Sequence, residues 1–385
     1  MTKFPRVLSR EEWGFDPEFT FLNHGSFGAA PLAVLAEQER WRAQMERHPT
    51  GFMAYVLPDA LRKAAARLAD FVGAQGNDVV FVENTTAGCN AVLNSLSFLP
   101  GDEILVTNHG YPAVRKAAQH IAARTGAVIV EAEVPFPISD ASQILDPVKS
   151  CLTRRTRLAI FDHITSPTAI IFPVRELAEL SHNMGAKVLI DGAHAPGMLA
   201  LDMPAINADW YVGNCHKWLM VPKGCAFLWA QANNQADLHP LVISHGYGQG
   251  FVAEFDWVGT RDASGWLSVP AALDFHARLG GAALRERNRK LAISAANKIA
   301  EIWKTQRGTP DALTGSMATI ELSTNGPATQ EHAIALRKWL FEDQRIEVQA
   351  NAFANALWIR ISAQAYNEDA DYERLITAIQ KHLKH

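Results

Sequence analysis

An aspartate and a lysine each follow a short apolar run in the segment from residue 188 to residue 228. Asp191 closes the run at residues 186–190, and Lys217 follows the run at residues 209–212 after a Gly-Asn-Cys-His sequence. A lysine amine can form a Schiff base with an aldehyde, and a carboxylate can keep a pyridine nitrogen protonated so that the ring accepts electrons. The two residues together are typical of pyridoxal phosphate (PLP) chemistry.

The elements that position this pair are three short apolar runs bounded by glycine and proline. They cover residues 186–190, 209–212 and 225–229, and runs of this kind are typical of buried strands. Open α/β sheets bind ligands beyond one end of their strands, so we expect all three runs to bring polar residues to the same edge of one sheet. On this segment alone a simpler interpretation stays open, in which Asp191 caps a turn and Lys217 is solvated.

Length and composition indicate an ordinary globular protein of two domains. The chain has 385 residues, of which 48% are hydrophobic and 20% charged, and this length exceeds what one hydrophobic core usually supports. The net charge of −4 argues against binding to nucleic acid or to an anionic membrane. No apolar stretch reaches the ~18 residues of a membrane span, and residues 1–10 lack the apolar core of a secretion signal. We therefore expect a cytoplasmic protein.

The four cysteines do not form a recognisable framework. Cys89, Cys151, Cys215 and Cys225 lack the spacing of metal ligands and are too few for a disulfide scaffold. We expect no bound metal and a reducing compartment.

Strands and helices alternate through the first part of the chain. Further strands are predicted at residues 78–83, 103–107, 127–130 and 157–161, and helices at residues 31–47, 58–72, 84–96 and 177–184. This alternation predicts an α/β fold with a mainly parallel central sheet and right-handed crossovers.

After Trp229 the pattern changes, which predicts a second, smaller domain. A long helical region at residues 269–306 precedes predicted strands at 316–322, 346–349 and 357–362 and a closing helix at 371–383. We expect a large ligand-binding domain over residues 15–260. Residues 1–14 and 261–385 are expected to form a small α+β domain.

Two segments of the large domain carry residues that have both a functional and a structural interpretation. Thr85 and Thr86 open a helix, whose free N–H groups and hydroxyls could hold a phosphate, although either threonine could serve only as a cap. His109 follows a predicted strand and could stack on a planar cofactor or be an ordinary loop histidine.

Two further segments are equally open on their own residues. Asn23, His24 and Ser26 lie among glycines and alanines, which permit a close backbone approach but also occur in plain loops. Arg360 alternates with apolar neighbours, so it either meets a buried anion or faces solvent.

Several short motifs follow one another over nearly the whole chain, from residue 23 to residue 362. They are NHGSFGAAP, NTTAGCN, ITSPTAI, DGAH, NCHKW, GTRD and WIRIS. Taken in this order, they resemble those of the class V aminotransferase family, within the fold type I PLP-dependent enzymes, and especially its isopenicillin N epimerase-like branch.

This resemblance implies a role for each matching residue. Lys217 would form the Schiff base, Asp191 would pair with the pyridine nitrogen, and His109 would stack on the ring as the third catalytic residue. His194 and Ser166 would lie near the phenolic oxygen. The remaining implied contacts are those of Thr85, Thr86, Ala87, Asn214 and His216 with the phosphate, and those of Asn23, His24, Ser26 and Arg360 with the substrate.

The resemblance also implies a homodimer, because Thr260 matches a threonine that reaches the phosphate of the other subunit. Two departures from the family pattern limit the reaction. Ser166 stands where many members have an asparagine, and no cysteine lies between Cys225 and His385. The latter argues against the persulfide chemistry of the family's cysteine desulfurases, which use a cysteine shortly before the position of Arg360.

The expected reaction begins with removal of the Cα proton of an amino acid by Lys217. The branch favours epimerisation, which requires a second acid on the opposite face, for which His24, Tyr111 and Tyr247 are candidates. A carbon–sulfur β-lyase is the nearest alternative, followed by an aminotransferase. A non-catalytic sensor on the same fold would be expected to lack Lys217, Asp191 or Arg360, and all three are present.

Overall fold

The computed structural model describes residues 10–323 and 328–382. Its central feature is a seven-stranded sheet. In spatial order the strands are Val79–Val82, Ala226–Ala230, Trp210–Asn214, Lys187–Asp191, Thr156–Asp162, Glu103–Thr107 and Val128–Ala132. All seven were predicted from apolar runs, with ends that differ by one or two residues.

One strand of this sheet runs against the others. Ala226–Ala230 is antiparallel to both of its neighbours, whereas the remaining pairs are parallel. The segment between Asn214 and Ala226 contains no helix, so the chain turns back instead of crossing over. The strand of the third run therefore has its first residue, Ala226, opposite Asn214 at the edge where the other two runs end.

Helices cover both faces of the sheet. Along Lys187–Asp191, Val188 and Ile190 join one buried apolar cluster and Leu189 joins another, as the alternation of a strand requires. No helix in the described ranges is long and apolar enough to cross a membrane. The α-helices of six residues or more in this part are Leu32–Arg47, Leu57–Val72, Thr85–Ser95, Pro112–Thr125, Ser142–Cys151, Val174–Asn183, Phe251–Asp256 and Val269–Arg278.

A third apolar cluster lies around a three-stranded antiparallel sheet. Its strands are Gln349–Phe353, Ala356–Ser362 and Met317–Leu322, and its helices are Ala282–Trp303, Gln330–Glu342 and Asp369–His382. The predicted strand at 346–349 is two strands. Ile346–Glu347 pairs in parallel with Thr20–Phe21, which attaches the N-terminal segment to this unit.

The predicted long helical region at residues 269–306 is broken. Gly280 and Gly281 both have positive φ angles, of 105° and 54°, between two helices, and glycine adopts this conformation readily. Within the second helix, Leu284 belongs to the cluster that contains Val188, and Leu291 belongs to the third cluster, around the smaller sheet. The predicted domain boundary between residues 260 and 261 does not coincide with this change in packing. Residues 1–9, 324–327 and 383–385 of the predicted small domain lie outside the described ranges.

Candidate active site

A cavity of about 430 Å³ opens where the parallel strands of the large sheet end. Side chains that end or follow five different strands line it, which explains how residues far apart in sequence meet at one place. Its lining residues are Ser26, Phe27, Glu83, Asn84, Thr85, Thr86, Tyr111, Asp162, Ser166, Asp191, Ala193, His194, Asn214, His216, Lys217 and Gly224.

Lys217 is buried in this cavity, with its Nζ 3.2 Å from Nε2 of His194. Burial, followed by the positive charge of Arg360, lowers the pKa of Lys217 to about 7, although the charge of Asp191 acts in the opposite sense. Because the neutral amine is the form that attacks a carbonyl, the environment makes Lys217 a nucleophile near neutral pH.

Asp191 carries a buried oxygen that lacks a hydrogen-bond partner within the described ranges. Its Oδ1 accepts the N–H of Ala193 at 3.0 Å, and it is Oδ2 that has no partner. Burial raises the pKa of this carboxyl to about 6. A carboxylate in this state is suited to a cationic N–H donor, such as a protonated ring nitrogen.

Asp162 lies beside Asp191, although its sequence context did not lead us to predict a role for it. The two residues are paired in register at the ends of adjacent parallel strands. Burial, followed by the charge of Asp191, raises the pKa of Asp162 well above its usual value. The signal that could have identified it is the one used for Asp191, an aspartate that closes an apolar strand.

His194 is neutral in this site. Burial and the nearby charge of Lys217 lower the pKa of its ring well below the usual value. Its Nδ1 is buried and has no hydrogen-bond partner among the residues described. The ring can therefore supply a hydrogen bond to a bound molecule without carrying charge.

The start of the helix Thr85–Ser95 forms another wall of the cavity. The side-chain oxygen of Asn214 accepts the N–H of Thr85 at 2.9 Å, and that of Asn84 accepts the N–H of Ala87 at 2.9 Å. Ala87 does not line the cavity, and its amide N–H is already used by the cap at Asn84. The predicted contact of Ala87 with the phosphate is therefore contradicted. By contrast, Thr85 Oγ1 is buried without a partner in the described ranges.

Arg360 lines a second cavity, of about 610 Å³, next to the first. The two cavities share Ser26, Tyr111 and Lys217. Its guanidinium donates to the carbonyl and to the hydroxyl of Ser166. It also donates to Ser26 Oγ at 3.0 Å and to Asn23 Oδ1 at 3.3 Å. These acceptors are neutral, so the charge of a buried arginine remains to be balanced by a ligand. The structure thus places Asn23, Ser26, Ser166 and Arg360 together.

His109 lies behind the site instead of in it. Its Nδ1 is 2.7 Å from Thr168 Oγ1, its Nε2 donates to the carbonyl of Val134, and its ring packs against that of Phe353. The turn after the strand closes with a hydrogen bond from Gly110 to Thr107, which directs His109 inward. The predicted stacking role of His109 is therefore contradicted, and Tyr111 lines the cavity instead.

His24 supports the backbone of the site and is not part of its surface. The ring is fully buried, with Nδ1 2.8 Å from the hydroxyl of Tyr366 and Nε2 donating to the carbonyl of Lys217 at 3.0 Å. Burial lowers its pKa to about 3. The predictions that His24 contacts substrate or acts as a second acid are contradicted, because both ring nitrogens are engaged.

The expected close approach of the N-terminal segment is nevertheless present. Gly28 has a φ of 67°, and a Cβ there would lie 2.0 Å from the carbonyl oxygen of His216. Only glycine permits this contact, which brings Ser26 alongside Lys217.

Thr260 and Tyr247 lie outside the cavity of their own chain. Thr260 is exposed beside Trp257, where it lines a different depression, and Tyr247 is 60% exposed. Of the three candidates for a second acid, Tyr111 is the one that lines the site. The role of Thr260 at a partner's phosphate stays a prediction.

Comparison with known proteins identifies chains whose sequences are similar to this one. The family model described as aminotransferase class-V matches residues 32–375. A putative L-cysteine desulfhydrase 1 of Oryza sativa subsp. japonica is 35% identical, covering 94% of this chain and 82% of its own. The isopenicillin N epimerase of Amycolatopsis lactamdurans is 31% identical and covers 97% of both chains, and that of Streptomyces clavuligerus is 33% identical over 94% of this chain and 95% of its own.

Solved structures agree on the fold. An apo cysteine desulfurase from Thermococcus onnurineus NA1 superposes with a TM-score of 0.81 at 18% identity, covering 97% of each chain. The cystine C–S lyase C-DES, in complex with its product cysteine persulfide, gives a TM-score of 0.79 at 22% identity over 94% of this chain and 97% of its own. The predicted fold class, an α/β fold type I architecture with a mainly parallel sheet, is confirmed.

Proposed function

Because this chain belongs to the class V aminotransferase family of PLP-dependent enzymes, we propose that it is a carbon–sulfur β-lyase acting at Cα and Cβ of an amino acid. The observation that carries the proposal is the arrangement of Lys217, Asp191 and Arg360 around two cavities that share Lys217. A nucleophilic amine, a carboxylate for a ring nitrogen and a guanidinium for a carboxylate are the groups that this chemistry needs.

The residues of the first cavity fit PLP. Asp191 Oδ2 and Thr85 Oγ1 are buried polar atoms without partners in the described part of the chain, and a bound pyridinium and phosphate would satisfy them. Lys217 would link to the aldehyde, with His194 and Ser166 toward the phenolic oxygen. Thr85, Thr86, Asn214 and His216 would hold the phosphate. PLP, when bound, accepts the electron pair left at Cα.

The side chains then act on the amino acid as follows. Arg360 binds the α-carboxylate by a charge-assisted contact, which orients the Cα–H bond. Once the amino group of the substrate has replaced Lys217 at the aldehyde, the freed Lys217 amine, neutral above about pH 7, takes the Cα proton. The electron pair left at Cα forms the Cα–Cβ double bond, and the Cβ–S bonding pair leaves with the sulfur as a thiolate. The thiolate then takes up a proton. Water hydrolyses the released enamine to pyruvate and ammonia.

Elimination is favoured over the epimerisation that the sequence resemblance suggested. A lyase needs one base and a leaving group, whereas an epimerase also needs a proton donor on the opposite face of Cα. His24 is sequestered by Tyr366 and the Lys217 carbonyl, and Tyr247 is outside the cavity. Relatives named L-cysteine desulfhydrase, at 32–35% identity, support the same interpretation.

Epimerisation remains the second candidate because of Tyr111. This residue lines both the cofactor and the substrate cavities, so its hydroxyl is available to a substrate. If Tyr111 returns a proton to the opposite face, Tyr111→Phe will abolish inversion at Cα and leave removal of the Cα proton in place.

The test is incubation of the PLP-loaded protein with cysteine and its S-conjugates in deuterated water, followed by NMR and chiral chromatography. Pyruvate and a released thiol are the expected products. Deuterium at Cα with inverted configuration and no pyruvate would replace the lyase by an epimerase, and a keto acid formed only with a consumed acceptor would indicate an aminotransferase. No exchange and no product with any amino acid would favour a non-catalytic protein.

We also propose a cytoplasmic homodimer with shared sites. Exposed apolar side chains that a second copy could cover include Tyr55, Leu241, Val242 and Ile243, and Thr260 faces away from its own cavity. Sedimentation should give twice the chain mass. Mixing Lys217→Ala with Thr260→Ala chains should restore activity, because each hybrid dimer regains one intact site.

A further inference from the structure

We propose that Arg337 recognises a second anionic group, carried on the side chain of the amino-acid substrate, while Arg360 holds the α-carboxylate. This inference deepens the proposed function and rests on it. It concerns the cavity of about 610 Å³, which extends from Lys217 and Arg360 to Arg337, Gln349 and Asn351.

Arg337 and Arg360 are connected through a single residue, Gln349. Arg337 Nη1 donates to Oε1 of Gln349 at 3.1 Å, and Gln349 lies directly opposite Arg360 on the neighbouring antiparallel strand. Side chains so paired start about 5 Å apart. A ligand group a few bonds beyond the α-carbon therefore falls within reach of Arg337.

A chain of amides fixes the position of this guanidinium. Gln349 Nε2 donates to Asn351 Oδ1 at 2.9 Å, and Asn351 Nδ2 donates to the carbonyl of Pro167 at 3.1 Å. Because both amides are held in this way, Gln349 presents its oxygen to Arg337 in one orientation. The arginine is thus positioned in advance, which lowers the entropic cost of binding an anion.

The charges around the cavity call for a dianionic ligand. Among the described residues, no side-chain carboxylate lies within ion-pair distance of Arg337 or Arg360. The sequence of residues 1–9, 324–327 and 383–385, which lie outside the described ranges, includes no Asp or Glu. Arg337 is close enough for its charge to contribute to the lowered pKa of Arg360. Glu347 is the carboxylate that lines this cavity, and burial raises its pKa. Lys338 also lines this cavity and pairs with Glu342 at 3.9 Å. The like charges of Arg337 and Arg360 at one cavity are costly until anions bind.

The chemistry points to S-conjugates of cysteine that end in a carboxylate. Such a substrate offers its α-carboxylate to Arg360, its C–S bond to the site of Lys217 and its terminal carboxylate to Arg337. The guanidinium fork suits a carboxylate in particular. A neutral amide of the same shape would lose the charge-assisted contact.

The experiment compares S-carboxymethyl-L-cysteine with S-carbamoylmethyl-L-cysteine, which differ only in that charge. We expect wild-type kcat/KM, followed by pyruvate formation and by Cα exchange, to favour the acid by about tenfold. Arg337→Gln should remove this preference by lowering kcat/KM for the acid more than for the amide, and Arg337→Lys should restore part of it. Lys290→Gln, a neutralised surface cation paired with Glu286, should retain the full preference.

A binding measurement tests the same claim without turnover. Glutarate should raise the Tm of the wild-type protein more than its monoamide does, and Arg337→Gln should make the two equal. Equal use and equal binding of the acid and amide by wild type would overturn the inference and leave the proposed lyase intact. An equal loss for both in Arg337→Gln would assign Arg337 a structural role instead. Failure of the lyase itself would appear as absent Cα exchange with every substrate, and the glutarate comparison would still decide the role of Arg337.

Discussion

The two ends of the site are built in opposite ways. At the cofactor end, Asp162, Asp191 and Lys217 are buried ionisable groups whose pKa values are strongly displaced by burial and by one another. At the substrate end, Arg360 is buried to 2% exposure but is surrounded by neutral oxygens of Ser26 and Ser166. Under the proposed function, the first end carries out the chemistry and the second end binds the substrate carboxylate.

The difference follows from where the residues come from. The residues of the cofactor end lie at the ends of neighbouring strands in one sheet, so the pairing of those strands brings their side chains together. The substrate end joins the N-terminal segment, the loop at Ser166 and a strand of the smaller sheet. A change at the first end should therefore affect the rate of proton removal, and a change at the second should affect binding.

The largest effect is expected for Lys217→Ala. Loss of the base should lower Cα exchange in PLP-loaded protein by about 10²- to 10⁴-fold, as measured by NMR in deuterated water. Lys223→Ala, a lysine in the same loop that donates to the Gly28 carbonyl, should retain cofactor-dependent exchange. Equal activity of Lys217→Ala and wild type would remove the lysine from the chemistry.

Asp191→Asn should come next, with a loss of about 10²- to 10³-fold in kcat and little change in KM, because a preorganised charge is lost where charge develops. Asp162→Asn serves as the matched variant on the adjacent strand. Its loss should be smaller, since Asp162 Oδ2 already accepts the N–H of Tyr111 at 3.3 Å. A larger effect at Asp162 would reverse the assignment of the two carboxylates.

Arg360→Gln should raise KM by about 10- to 100-fold while kcat falls much less, because a charge-assisted contact to the α-carboxylate is removed. Steady-state kinetics on one substrate gives both constants. Arg360→Lys should recover only part of the affinity, since the planar fork is lost. A fall confined to kcat would mean that the two ends of the site are not separate in function.

The pH dependence of cofactor attachment depends on both ends of the site, because the charge of Arg360 affects the pKa of Lys217. The neutral form of Lys217 attacks, and with a pKa of about 7 the rate of PLP attachment should rise about tenfold from pH 6 to pH 8 and then level off. Stopped-flow absorbance follows this rate. In Arg360→Gln the midpoint should move to higher pH, because a charge that lowers the pKa of Lys217 is gone. A midpoint near the usual lysine value in wild type would contradict the described environment.

The smallest effect is expected for Ser26→Ala. This hydroxyl accepts from Arg360 and donates to Asn23 Oδ1 at 2.6 Å, so its loss should raise KM by about 2- to 10-fold through a less well-held guanidinium. Isothermal titration with a substrate analogue would give the same ratio. Unchanged binding would show that Ser166 and Asn23 suffice to orient Arg360.

The contrast between the two ends also separates what the sequence can predict from what it cannot. Asp191, Asn214 and Lys217 follow apolar runs, and the period of that pattern is enough to place them at the edge of the sheet. The antiparallel direction of Ala226–Ala230 depends on a connection that lacks a helix, and the short turn after Asn214 is too weak a signal to predict it.

Side-chain direction was the other limit. His109 and Tyr111 lie two positions apart after the same strand, and the turn at Gly110 decides which of them lines the cavity. His24 is adjacent to Asn23, yet its ring turns toward Tyr366. Hydrogen bonds to residues between 25 and 342 positions away hold the two histidine rings in place, and neither spacing nor residue type reveals those partners.

The central claim, that Lys217 holds the cofactor, is tested most directly by identifying the lysine to which PLP attaches. PLP-loaded protein should be reduced with borohydride, digested, and its peptides analysed by mass spectrometry. We expect a reduced pyridoxyl group on the peptide that contains Lys217 and its absence from Lys217→Ala. A group attached to another lysine, or none in wild-type protein, would contradict the claim.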